Sequence, residues 1–532
     1  MHITAAGDMV TSGTGLFLVL AIGMALSFEF VNGFHDTANA VATVIYTRTL
    51  RPWAAVLWSG CWNLIGVLCS SGGVAFAVLA LLPAEMMLNV GSAAGFAMVF
   101  ALLISAIIWN LGTWYMGLPA SSSHTLIGAI MGVGLANSIL VGGHQFGQGV
   151  NWDKAREVFL SLLISPIIGF VFAGLLLIVS KALIRKPELY KALPKDQAPP
   201  IWIRGLLILT CTGVSFAHGS NDGQKGMGLI LLILIGILPG SFALNMHTDA
   251  AAMRKLQTTT LAVEKSLDGL ATAGNVAASE APAVLSKYLK SGGTYDENTI
   301  AALAATTRQI GDSIAGRQSL AELSPSQRTE LRTEIYLASE TIGKLLNENR
   351  IADPSQRDVL AAYKSGDLDP VTKFIPIWVK IATALALGVG TMIGWKRIVT
   401  TVGEKIGKEH LSCAQGAAAE MVTMITIYAA DRFSLPVSTT HVLSSGVAGT
   451  MAANRSGLQM GTLRNVLLAW VLTLPVCVLL GAALFAAGLV IVLNNLTTMV
   501  LVVAGIGLMA FLAWRIASFL RKRGQPTVAS PA

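Results

Sequence analysis

Two short stretches place polar side chains inside apolar surroundings, at a spacing that could do chemistry. In 32-NGFHDTANA-40, Asn32, Asp36 and Asn39 stand at i, i+4 and i+7, one face of a helix. In 218-HGSNDGQKG-226, His218, Asp222 and Lys225 repeat that spacing. A carboxylate flanked by amides offers oxygen ligands to a small hard cation. It also accepts a hydrogen bond from a protonated oxyanion. Asn32 or Asn39 alone could equally join helix to helix. A carboxylate in an apolar run is costly and usually functional, so Asp36 and Asp222 carry the stronger claim. Asn221, beside Asp222, and Glu29, one helical turn before Gly33, join the candidate cation ligands; Glu29 could instead pair with a basic group. Gly33 and Gly219 permit local helix breaks that free backbone groups toward a cavity.

A second pair of stretches differs in kind. In 118-LPASSSHTL-126 and 435-LPVSTTHVL-443, a Pro followed by Ser/Thr reads as a helix start. Ser121, Ser122 and Ser123, with Ser438, Thr439 and Thr440, would then set hydroxyls and free N–H groups at two helix N-termini. Such ends favour an anion, because donors and dipole both point at it. Plain N-capping is the alternative for any single hydroxyl. His124 and His441 follow the two runs as loop supports or, less readily, as proton carriers. Arg432 next to Asp431 points to a local ion pair there, and Glu420 is a further acid in an apolar run.

The elements that must position these groups belong to a membrane protein. Of 532 residues, 53% are hydrophobic and 12% charged, against about 25% charged in a soluble domain. Apolar runs fall at about 15–31, 53–82, 94–116, 125–141, 158–183, 205–217, 227–245, 374–395, 411–430, 441–453, 463–490 and 498–514. Some are short, so the expectation is roughly ten to twelve membrane helices, an all-α polytopic bundle rather than a barrel. No basic or cleavable leader precedes the first run, which is expected to be retained.

The chain also repeats itself. Gly33 and Asp36 recur 186 residues later as Gly219 and Asp222, and 118-LPASSSH recurs 317 residues later as 435-LPVSTTH. The two offsets differ by 131 residues, close to the length of a charged stretch at 247–373. That stretch carries 14 Lys+Arg and 16 Asp+Glu, has helical spacing, and shows turn signals at 291-SGGT and 353-DPSQ. It reads as a soluble helical insert inside the second copy. Duplicated membrane units, often inverted, mark secondary transporters, whose substrate sits where the copies meet, among interrupted helices. The expected divisions are membrane repeat 1 (1–200), the first part of repeat 2 (201–246), the insert (247–373), the rest of repeat 2 (374–520) and a basic tail (521–532).

Charge and missing motifs exclude other classes. Outside the insert the bases cluster in short loops: Lys181 to Arg204, Lys396 to Lys408, and Arg521 to Arg523. These are expected at the cytoplasmic face. No basic run is interleaved with exposed aromatics, which argues against nucleic acid. No phosphate-binding Gly-Lys-Ser/Thr loop, G-x-S-x-G elbow, HExxH or CxxC is present, so neither an ATP-driven pump nor an enzyme is expected. Cys61, Cys69, Cys211, Cys413 and Cys477 read as small buried hydrophobes.

The four motifs, in this order, resemble the Pit family of inorganic phosphate transporters, most closely its bacterial low-affinity type. The resemblance covers essentially the whole membrane portion. It implies a cytoplasmic (inner) membrane symporter of inverted repeats with phosphate at the repeat interface. For the bacterial type it implies proton coupling and uptake of phosphate as a neutral complex with a divalent metal such as Mg2+. Other branches use Na+. Phosphate ligands would fall on Asp36, Asp222, Lys225, Ser121, Ser122, Ser123, Ser438, Thr439 and Thr440. Coupling-cation ligands would fall on Glu29, Asn32, Asp36, Asn39, Asn221 and Asp222, with His124, His441, Gly33 and Gly219 in support. No permanently bound cofactor or fixed metal site is implied. The partners are phosphate, the coupling cation and the lipid bilayer, with a homodimer left open. One departure stands out: the second copy often reads N-D-x-x-N-A, whereas here Lys225 replaces an amide, which tells against Na+ coupling. The alternatives are sulfate uptake or Na+-coupled phosphate uptake on the same architecture, or a membrane phosphate receptor with the insert as output.

Overall fold

The computed structural model describes residues 12–82, 93–140, 147, 149–192, 198–242, 244–270, 276–289 and 293–494. These residues are helical throughout, joined by loops. The membrane part begins with α1 (Ser12–Asp36), α2 (Ala38–Tyr46), α3 (Pro52–Cys69), α4 (Ala93–Met116), α5 (Ser122–Leu140), α6 (Trp152–Leu183) and α7 (Ile201–Ile237). Then come the insert helices α8 (Ala250–Leu270), α9 (Ala281–Leu289), α10 (Asn298–Ile314), α11 (Pro325–Asn347) and α12 (Pro354–Tyr363). The chain returns through α13 (Ile377–Ile393), α14 (Cys413–Arg432), α15 (Thr439–Asn454) and α16 (Met460–Leu493).

Seven helices among the described residues are long and apolar enough to cross a membrane, or eight if the pair Pro354–Thr372 and Ile377–Ile393, bent by 75°, counts as one span. The sequence suggested ten to twelve. The run at 498–514 and the basic tail lie outside the described residues. The run at 441–453 forms α15, whose 16 residues reach only about 24 Å at 1.5 Å per residue. That falls short of the roughly 30 Å hydrocarbon core. The crossing helices turn bare apolar side chains outward, as Leu163, Ile167, Phe172 and Ile178 do on α6 and Val471 and Leu479 on α16. That pattern suits lipid, which needs no polar cover. All five cysteines are free; Cys211, Cys413 and Cys477 are buried as expected, but Cys61 and Cys69 are exposed, on such an outward apolar face.

Local signals explain the helix starts. Asn151 caps α6 by accepting from Lys154 N at 3.1 Å. Ser324 and Ser412 form capping boxes with Gln327 and Gln415. Asp353, in the turn read from 353-DPSQ, caps α12 through Ser355 N at 3.2 Å.

The two copies pack crosswise. α1 lies on α13, and α7, the corresponding helix of the second copy, lies on α3. Glycine makes both contacts close enough. A Cβ on Gly33 would strike the carbonyl of Leu387, and one on Gly219 the carbonyl of Asn63. Reciprocally, Gly390 abuts the Phe30 carbonyl and Gly66 the Phe216 carbonyl. Gly33 and Gly219 share the 186-residue offset of Phe30 and Phe216, and both α13 residues lie 324 beyond their α3 counterparts. α5 on α16 and α15 on α6 repeat the pattern, with Gly132 against Val478 and Gly449 against Phe170.

This packing corrects the expectation of helix breaks at the two glycines. α7 runs unbroken through Gly219 for 37 residues. In the first copy the helix is interrupted at Thr37, four residues beyond Gly33, where the Thr37 hydroxyl donates to Gly33 O (2.7 Å) and to Thr391 O (2.9 Å). Close approach, not a break, is what these glycines supply.

The insert has a core of its own, running from Leu244 to Val371 and including Leu256, Leu303, Ile335 and Tyr363. Lys364 and Lys373 bracket Asp369 at 3.3 and 3.2 Å, and Lys373 also reaches Glu340 at 3.2 Å.

Candidate functional site

Crosswise packing brings each Asp-bearing stretch to the hydroxyl run of the other copy. From the first copy, Asn39 donates to Thr439 Oγ1 (3.1 Å) and Thr440 Oγ1 (3.2 Å), and the Thr440 hydroxyl donates to Asp36. From the second, Lys225 donates to Ser123 Oγ at 2.5 Å. Asn39 and Lys225 stand at equivalent positions, as do Thr440 and Ser123. The same junction is therefore built twice, once with an amide and once with an ammonium.

The carboxylates meet at His218. Its Nε2 lies 3.6 Å from Asp36 Oδ2 and 3.6 Å from Asp222 Oδ2, while Nδ1 is 2.7 Å from Asn63 Oδ1. Asp36, His218 and Asp222 each offer a ligand atom, all within 4.8 Å of one another, a set that suits a divalent cation. Lys225 Nζ closes on Asp222 Oδ1 at 2.8 Å. All four side chains are buried.

Both hydroxyl runs begin helices in the same way. Ser121 Oγ accepts from His124 N, and Ser438 Oγ from His441 N, each at 3.2 Å. These two serines are caps. Ser123 also donates to Val437 O at 2.8 Å, tying its helix to the opposite run. The His124 and His441 rings sit 4.7 Å apart, and His441 stacks on Trp470 at 4.0 Å. Trp470 in turn donates to Pro119 O at 2.8 Å. The two imidazoles thus link the two runs to each other and, through Trp470, to the loop at Pro119.

Several buried polar atoms here have no hydrogen-bond partner among the described residues: Ser122 Oγ, Asn39 Oδ1, Asn32 Oδ1 and His218 Nε2, the last with its two carboxylate neighbours 3.6 Å away. A buried polar atom left unpaired is destabilising. So many around one cluster, both donors and acceptors, fit a ligand carrying both an anion and a cation or proton.

Not every expected residue joins the cluster. Asn221 donates to Leu435 O at 3.2 Å and so holds the opposite loop rather than the carboxylates. Glu29, by contrast, stays beside the cluster: it lies against Gly226, accepts from Asn32 at 3.5 Å, and interacts electrostatically with both Asp222 and Lys225. The Asp431–Arg432 pairing is not formed. Asp431 accepts from Ser220 (2.8 Å) and Gln224 (2.6 Å), while Arg432 donates to the Tyr428 hydroxyl. Glu420 accepts from Thr210 at 2.5 Å, apart from the site. Conversely, His218, on the face of Asp222 and Lys225 in sequence, becomes a candidate ligand only through the structure. Its counterpart is Asn32, so the signal was the repeat itself.

The match to the phosphate transporter family spans residues 32–481. The low-affinity inorganic phosphate transporter PitA of Escherichia coli (strain K12) is 43% identical over 503 residues, covering 91% of this chain and 98% of its own. PitB of the same strain is 41% identical over 499 residues, covering 89% and 96%. A probable low-affinity inorganic phosphate transporter of Bacillus subtilis (strain 168) is 28% identical, covering 88% and 96%. A solved structure described as the sodium-dependent phosphate transporter aligns with 89% of this chain and 98% of its own, at TM-score 0.49 and 20% identity.

Proposed function

The chain belongs to the phosphate transporter family, and we propose that it is a secondary symporter importing inorganic phosphate, driven by protons. It is a multi-pass protein of the cytoplasmic membrane and a transporter, not an enzyme. The observation that carries the reading is the charge balance of the buried cluster. Asp36 and Asp222 face one fixed cation, Lys225, within hydrogen-bond reach of the two hydroxyl runs. A phosphate dianion cannot enter a site already carrying a net negative charge unless a cation or proton enters with it.

Ser122 and Thr439 would donate to the phosphate oxygens, joined by Ser123 and Thr440 once their hydroxyls turn from Val437 O and Asp36, with Lys225 as their charged companion, and a protonated oxygen of HPO4(2−) would donate to Asp36 or Asp222. Sulfate has no such proton, which favours phosphate. Asp36, His218 and Asp222 form a set able to receive a divalent metal, which supports entry as a neutral metal–phosphate complex. Lys225 occupies the place where its repeat partner offers a neutral amide. A tethered ammonium there stands in for a mobile Na+, which supports proton coupling. The crosswise glycine contacts support an inverted repeat with the divisions given above. The insert has its own core, and its sequence holds no motif that would make the chain a receptor.

Uptake of labelled phosphate into proteoliposomes tests this, with imposed H+ or Na+ gradients, with and without Mg2+. An inward H+ gradient should drive accumulation, faster with Mg2+. Accumulation on a Na+ gradient alone would sink the coupling assignment, and no uptake under any gradient would sink transport itself.

A further inference from the structure

A second, separate cluster of charge lies at the end of α4. A pocket of about 330 Å³ is lined by Tyr115, Met116, Lys396, Arg397, Thr400 and Lys405. Its basic wall comes from one short segment, 395-WKRIVTTVGEK-405. Ile398, Val399 and Val402 are buried, which leaves Lys396, Arg397 and Lys405 on the outside. The bases in this loop place it at the cytoplasmic face. The acid of the same segment, Glu404, interacts with Tyr46 of α2 rather than with the three bases.

The pocket is built, not incidental. Arg397 donates to Tyr115 O at 2.6 Å, and its guanidinium lies over the rings of Trp114 (5.1 Å) and Tyr115 (4.7 Å). The Trp114 indole donates to Gly394 O at 2.7 Å. The Thr401 hydroxyl donates to Gly117 O at 2.7 Å, pinning a residue whose φ is +69°. Arg397 is thus held in place with N–H groups to spare. Among the described residues neither Lys396 nor Lys405 is salt-bridged. Tyr115 and Met116, 68% and 62% exposed, stand at the end of a membrane-crossing helix, where apolar and polar ligand parts are met together.

We propose that this pocket binds the phosphate headgroup of an anionic phospholipid from the cytoplasmic leaflet, with Lys396, Arg397 and Lys405 on the phosphate and Tyr115 and Met116 along the glycerol and upper acyl chain. Three converging bases suit a phosphodiester, and basic pockets beside membrane helices on this side are the usual headgroup sites. A free phosphate ion fits less well, because it would leave the apolar rim and most of the volume unused. The site bears on transport through the chain itself. Gly117, fixed by Thr401, leads straight into 118-LPASSSH, the loop that starts α5. A seated headgroup would hold that loop's entry without touching the buried cluster.

Native mass spectrometry of the purified full chain tests this, titrating phosphatidylglycerol against phosphatidylcholine. Each lysine near an anionic headgroup is worth on the order of fivefold in affinity, so Lys396→Gln with Lys405→Gln should weaken the tightest phosphatidylglycerol by roughly 25-fold. Phosphatidylcholine retention should not change. Both lysines are exposed, so this variant leaves the Arg397 anchor and the fold intact; Arg397→Gln is the harsher second variant. Equal phosphatidylglycerol retention by wild type and both variants overturns the proposal. So does displacement of the lipid by millimolar inorganic phosphate, which would make this a free-phosphate site. Because the readout is lipid retention, a failed transport assignment would not imitate either result.

Discussion

Replacing Lys225 by Asn gives both copies of the duplicated stretch the same residue and tests what the ammonium does. In the structure Lys225 lies 2.8 Å from Asp222 and 2.5 Å from Ser123, fully buried. Removing one partner of a buried ion pair costs about 3–5 kcal/mol, because the other charge is left uncompensated. At 1.4 kcal/mol per tenfold, that is roughly 100-fold to a few thousand-fold in the population of the arrangement with Asp222 ionised. Asp222 then has two escapes: it takes up a proton, or it recruits a mobile cation. In proteoliposomes without Na+, uptake by Lys225→Asn should fall by about 100-fold or more. Added Na+ should restore part of that, while wild-type uptake stays indifferent to Na+. Uptake by the variant within about threefold of wild type in Na+-free medium would show that Lys225 carries no essential charge. A full loss that Na+ does not relieve, in a variant that inserts normally, would show that the position is not a cation site.

Asp36→Asn should abolish uptake with insertion intact, since it keeps the shape of the acceptor for Thr440 but removes its charge; near-normal initial rates would remove Asp36 from the site. Gly219→Ala places a methyl against the Asn63 carbonyl and should lower the melting temperature of the purified protein, by an overpacking cost of about 1–3 kcal/mol. Gly205→Ala on the same helix meets open space and should not. In the insert, burial, with Glu330 and Asp312 nearby, pushes the Glu334 carboxyl up to about 7. A raised carboxyl pKa means the folded state holds a proton that the unfolded state has released. Insert stability should therefore be full below about pH 4.5 and decline as pH rises toward 7. Glu334→Gln should flatten that decline, read as hydrogen-exchange protection of peptides within 325–347 in the full chain between pH 5 and 8. A slope unchanged by the substitution would assign the effect elsewhere.

The duplicated stretches were legible because their chemistry is local. Spacing sets Asn32, Asp36 and Asn39 on one face, and Pro followed by hydroxyls starts a helix wherever it occurs. What Gly33 and Gly219 do was not legible, because a glycine allows both a break and a close approach, and only the opposing carbonyl of Leu387 or Asn63 decides between them. The same limit hid His218, which becomes a bridge only when Asp36 from the other copy arrives beside Asp222. Asp431 misled for the opposite reason: its neighbour in sequence, Arg432, was a weaker partner than Ser220 and Gln224 across the helix interface.

The crossing of the copies is the step that turns a repeat into a site. Had each motif pair closed within its own copy, two similar half-sites would have formed, one with Asn39 and one with Lys225. Because Asn39 reaches Thr439 and Thr440 while Lys225 reaches Ser123, the amide and the ammonium face one shared cluster from opposite copies, and Asp36 and Asp222 are brought to the same imidazole. A single substitution in one copy therefore changes the charge seen by both. If the cluster is the transport site proposed above, an asymmetry of one residue should suffice to alter which cation it requires, and the Lys225→Asn variant should probe the coupling ion rather than one half of the protein.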